Sequence, residues 1–119
     1  MANEHIKTAA NNLQRAVSDV NQQIQEAKND IDNSKRQTLS SIKALKTEIA
    51  TLNSMKNKDS VTTSGKVALN AQTNNLQRQI AQLQKDNDEY VRQREGQISA
   101  LNNEVHEFEN LSSHLNAIA

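Results

Sequence analysis

Two apolar ladders of nearly equal length, broken once, decide what this 119-residue chain can fold into. In the first, apolar residues recur at Ile6, Ala10, Leu13, Val17, Val20, Ile24, Ala27 and Ile31, and again at Ile42, Leu45, Ile49 and Leu52. The steps alternate four and three, the spacing of a helix that buries one narrow seam against another helix. The second ladder reads Leu69, Thr73, Leu76, Ile80, Leu83, Asn87, Tyr90, Arg94, Ile98, Leu101, Val105, Phe108, Ser112 and Leu115. Each ladder contains one pair of successive four-residue steps, from Ser34 through Thr38 to Ile42 and from Tyr90 through Arg94 to Ile98. Such stutters locally unwind a supercoil. Only between Asn57 and Gly65 does the helical pattern stop.

Laid antiparallel, the ladders mirror one another. Leu52 meets Leu69, Leu45 meets Leu76, Ile42 meets Ile80, Ile24 meets Ile98, Val17 meets Val105, Leu13 meets Phe108 and Ile6 meets Leu115. Each pair of residue numbers adds to 121 or 122. Two unrelated helices have no reason to keep that relation. The expected fold is therefore all-α, one long antiparallel two-helix coiled-coil hairpin. Its arms cover about 3–57 and 66–118, with a turn at about 58–65, as a single domain of residues 1–119. At about 1.5 Å per residue each arm would run roughly 75–80 Å.

The middle of the seam is polar. Ser34 faces Asn87, and Arg94 falls opposite Ala27. Polar residues at such positions fix register at a cost in stability, so Ser34, Asn87 and Arg94 are the expected register-setting residues. Flanking charges agree: Asp30 and Asp32 lie near Arg92 and Arg94, while Lys35 and Arg36 lie near Asp86, Asp88 and Glu89. One of Thr62, Thr63 or Ser64 is expected to cap the second arm.

Composition fits a rod with a thin core. Aromatic residues make up 2% of the chain and there is no Pro or Trp. Asn and Gln contribute roughly a quarter. The absence of cysteine excludes disulfides and thiolate chemistry. No apolar stretch approaches the roughly 20 residues of a membrane span. The opening residues lack a basic region followed by an apolar run, so no cleavable signal is read there. Cytoplasmic residence is the default expectation, with export by a signal-independent route left open. Net charge is zero but unevenly spread. Lys43, Lys46, Lys56, Lys58 and Lys66 surround the turn, and Lys56, Lys58 and Lys66 form the expected basic tip. Glu95, Glu104, Glu107 and Glu109 make the last quarter acidic.

Near the termini the apolar stripe is wider than a two-stranded seam needs. Ala9, Ala16, Leu111 and Ile118 join Ile6, Leu13, Phe108 and Leu115, while Leu39, Met55 and Val91 lie off the seam elsewhere. A wide stripe calls for another helix. The expected partner is a second copy, giving a dimer, a higher bundle or a filament. A filament would follow if the basic tip met the acidic end of a neighbour, a head-to-tail contact that does not close. The same stripe suits a helical segment of another protein.

Catalysis needs convergent polar groups in a concave site, and a two-helix rod has no such site to offer. Carboxylate clusters such as Asp86, Asp88 and Glu89 read as solvated helix faces. His5, His114 and Glu4 fall near one another in this register, but without the four-residue His spacing of a helical zinc site, so no metal or other cofactor is expected. A neutral chain whose lysines are not interleaved with aromatics does not read as a nucleic-acid binder. In outline the chain is similar to the small helical-hairpin proteins exported by type VII secretion. Those carry a Trp-x-Gly turn where this sequence has Thr63-Ser64-Gly65. Prefoldin subunits are hairpins of this size too, but insert β-hairpins between the arms, for which Val61 to Val67 is too short. The expected function is a non-enzymatic self-associating structural or assembly protein. The alternative is a helical partner or chaperone of another protein, of the secretion-associated hairpin kind.

Overall fold

A computed structural model describes residues 2–119. Among them the chain forms two helices, α1 (Ala2–Lys56) and α2 (Thr63–Ile118), and no strand. The fold is an all-α helical hairpin. Contacts divide it into two compact units, a terminal unit (Met1–Ile31 with Arg92–Ala119) and a turn unit (Asp32–Val91).

In the terminal unit Val20, Ile24 and Val105 are buried together, with Val17, Ile98, Leu101 and Phe108 packed against them. Nearer the termini Ala10 and Ser112 are both buried, and the Ser112 hydroxyl donates to the Ala10 carbonyl oxygen at 3.3 Å. In the turn unit Ile42 is buried, and Leu45, Ile49, Leu52, Leu69, Leu76, Ile80 and Leu83 are half-buried. Every position of both ladders is buried or half-buried. The register is visible separately in each unit, with Ala10 against Ser112 in one and Ser34 against Asn87 in the other. Both contacts keep the relation read from the sequence.

The core is thin. Among the described residues no large side chain falls below 2% exposure, because one partner helix covers one flank of a cylinder and leaves the rest to water. Each buried Val or Ile still contributes about 1.5–3 kcal/mol relative to exposure. Threonines within the helices do not break them. The hydroxyls of Thr8, Thr47, Thr51 and Thr73 each donate to the carbonyl four residues earlier, at 2.9–3.1 Å. That bond lets Thr73 occupy a seam position without an unmet hydroxyl.

The connection is shorter than the sequence implies, since α2 begins at Thr63 and not near residue 66. The Thr-Thr-Ser-Gly run has loop composition, but Thr62 turns it into a helix start. Its hydroxyl accepts the Gly65 N–H at 3.0 Å, and its carbonyl accepts the Lys66 N–H at 2.9 Å. The first bond meets one of the amides a helix N-terminus leaves unpaired, and the second starts the helix's own ladder. Gly65 makes this fit possible: a Cβ there would lie 3.0 Å from Val61 Cγ1 and 3.2 Å from Thr62 Oγ1. Before the cap, Lys58 N–H donates to Met55 O and Val61 N–H to Lys58 O, each at 3.2 Å, which tightens the exit from α1 into the turn.

Gly96 is the opposite case, a glycine inside α2 with nothing within 4 Å of an added Cβ. Gly96→Ala should stabilise the fold by about 0.5–1 kcal/mol, the backbone-entropy difference between the two residues in a helix. A thermal melt followed by circular dichroism checks this, and a lowered midpoint would mean that position 96 meets something a Cβ disturbs.

Candidate self-association surface

The rows that flank the seam distinguish the two sides of the terminal unit. With Ala10, Val17 and Ile24 as heptad position a and Leu13, Val20 and Ala27 as d, the g row of α1 is Ala9, Ala16, Gln23 and Asp30. Its e row is Lys7, Gln14, Asn21 and Lys28. In α2 the g row is Gln97, Glu104, Leu111 and Ile118, and the e row is Asn102, Glu109 and Asn116. One surface depression brings Gln23 and Asp30 beside Gln97. A second brings Gln14 beside Glu109 and Asn116. The g rows of both helices therefore share one side, and the e rows share the other.

The two sides differ in chemistry. Toward the termini the g side carries Ala9, Ala16, Leu111 and Ile118, with Leu111 52% and Ile118 67% exposed. The e side carries charged and amide residues throughout. Of the eight stripe residues expected from the sequence, Ile6, Leu13, Ala16, Phe108 and Leu115 are half-buried at or beside the seam, while Ala9, Leu111 and Ile118 are exposed. The available apolar surface is thus narrower than the stripe and one-sided. Sequence spacing measures distance from the seam, and the sidedness emerges only when both helices are lettered against each other.

The residues expected to set the register find partners within their own units. In the turn unit the Ser34 hydroxyl donates to Asn87 Oδ1 at 2.6 Å, half-buried. In the terminal unit Arg94 pairs with Asp30 at 3.4 Å and donates to Gln97 Oε1 at 2.9 Å. That ion pair is 34% and 44% exposed at its two side chains, so it contributes at most about 1 kcal/mol.

The three lysines expected at the basic tip differ in exposure. Lys56 is half-buried, and its Nζ donates to Asn70 Oδ1 at 3.0 Å across the turn unit. Lys58 and Lys66 are exposed. The hydrogen bond to Asn70 is legible in the sequence only if an amide is sought beside each end of the seam. His114 bends back onto its own helix, donating through Nδ1 to the Asn110 carbonyl at 2.7 Å. Among the described residues no three His, Cys, Asp or Glu side chains converge as a metal site. No helix among them is long and apolar enough to cross a membrane.

This arrangement offers apolar and amide surface in helical rows, which is the chemistry of helix packing. No family model, curated protein or solved structure matches the chain. The fold is a helical hairpin whose terminal unit exposes Leu111 and Ile118 on one side.

Proposed function

We propose that the protein is a non-enzymatic structural or assembly protein that acts by self-association into a larger helical bundle. The observation that carries this reading is the one-sided exposure of Leu111 and Ile118 beside Ala9 and Ala16. An apolar flank confined to one side of a two-helix unit is the surface that further helices cover in a bundle. A polar e side limits contacts of the terminal unit to its g side.

Sedimentation velocity of the full chain, from low to high micromolar concentration, tests the reading. A defined oligomer or a growing polymer is expected. A monomer at every concentration would overturn it, and a stability gain only on adding a second helical protein would assign the chain to the partner or chaperone class instead.

A further inference from the structure

We infer that the helix α1 of one copy docks on α2 of a second copy through two charge-matched stripes. This deepens the self-association reading and rests on it. The first stripe lies on α1 in the turn unit: Leu39, Lys43, Lys46, Ala50 and Asn53, all exposed. The second lies on α2 in the terminal unit: Leu111, Glu107, Glu104, Ala100 and Gln97, also all exposed. Read forward in α1 and backward in α2, the two stripes have identical spacings of four, three, four and three residues. Those are the spacings that keep side chains on one helical face.

Antiparallel docking at that register sets Leu39 on Leu111, Lys43 beside Glu107, Lys46 beside Glu104, Ala50 on Ala100 and Asn53 beside Gln97. Leucine closes one end, two opposite charges pair in the middle, alanines permit close approach, and two amides finish the row. Leu39 is 67% exposed and Leu111 52% exposed, so both apolar anchors lack cover within the chain. A shallow groove already runs beside Leu39, lined by Ile42, Lys43, Lys46 and Ala50.

Charge selects this pairing over its rivals. Two α2 stripes packed on each other would gather four glutamates, and two α1 stripes would gather four lysines. Like charges at a contact cost enough to exclude a partner. The neighbouring rows reinforce the choice. Asp19 and Glu26 stand on the same side as the acidic stripe, whereas across the seam from Lys43 and Lys46 stand Gln77, Ala81 and Gln84, and the charges beside Leu39 are Asp88 and Lys35 together. Each chain carries one stripe of each kind, so the contact is heterologous and repeats from copy to copy.

Charge reversal in the full chain tests this. K43E/K46E and E104K/E107K should each weaken self-association about tenfold, since two favourable exposed pairs become two repulsive ones. Mixing the two variants, or combining all four changes in one chain, should restore association. The wild-type assembly should also weaken in high salt. Circular dichroism should show unchanged helix content, because all four side chains are exposed. If the wild type assembles and neither double variant differs from it, the stripes are not the contact while the self-association reading stands. Weakening by both variants without rescue in the mixture or the fourfold variant would equally overturn the pairing. A wild type that never assembles refutes the reading on which the inference rests.

Discussion

Ile24→Ala is expected to lower the stability of the folded chain by about 2–3 kcal/mol, the lower part of the range for truncating a buried isoleucine. Ile24 is 6% exposed and sits in the cluster with Val20 and Val105. The loss removes most of an aliphatic side chain from a layer that nothing behind it can refill. Two features keep the cost below the top of the range. The seam is one side chain deep, so α2 can settle toward the gap, and alanine is the better helix former by a few tenths of a kcal/mol. Urea unfolding followed by circular dichroism measures the effect. The matched control is Leu39→Ala, an equally large truncation at a position 67% exposed. In dilute monomer it should change stability by no more than about 0.5 kcal/mol. Equal effects at the two positions would mean that α1 and α2 do not pack at the Ile24 layer.

That contrast also measures how much of the fold the sequence reveals. A side chain's distance from the seam follows from spacing alone, and the ladder positions are all buried or half-buried as the periodicity requires. Pairing followed because a constant relation between residue numbers is the signature of two strands of one seam. Ser34 and Asn87, polar residues predicted to face one another, do so through a 2.6 Å hydrogen bond. Less was legible where a residue has two physical readings. Thr62, one of the three expected caps, does cap α2, but the loop composition of Thr62 to Gly65 hides that the helix starts at Thr63, with a glycine small enough to sit under Val61. Lys56 reads as part of a basic tip, and its hydrogen bond to Asn70 is not visible in that reading. The side on which a surplus apolar residue emerges depends on the partner helix, so the one-sided flank at Leu111 and Ile118 could not be seen from either ladder by itself.

The Ala10–Ser112 layer carries the same ambiguity, and Ala10→Leu resolves it. Small residues at a seam mark either a gap that a larger side chain would fill or a place where two helices approach closely. Leucine occupies the seam at Leu13 and Leu45, so sequence logic alone expects a gain at position 10. The structure predicts a loss. Ala10 has no exposed surface, Ser112 is 4% exposed, and the Ser112 hydroxyl reaches the backbone of α1 itself at the Ala10 carbonyl. A leucine there must push α2 away or leave its preferred rotamers, costing about 1–3 kcal/mol. Separation also strips the buried Ser112 hydroxyl of its acceptor, which adds a penalty of about 1–3 kcal/mol if water does not follow. Ser112→Ala separates the two contributions, because it removes the hydroxyl and keeps the small volume. It should cost only about 0.5–1.5 kcal/mol. The expected order of unfolding midpoints is therefore wild type, then Ser112→Ala, then Ala10→Leu. A rise in midpoint for Ala10→Leu would show instead that this layer is a void, and that the helices stand as far apart here as they do at Ile24.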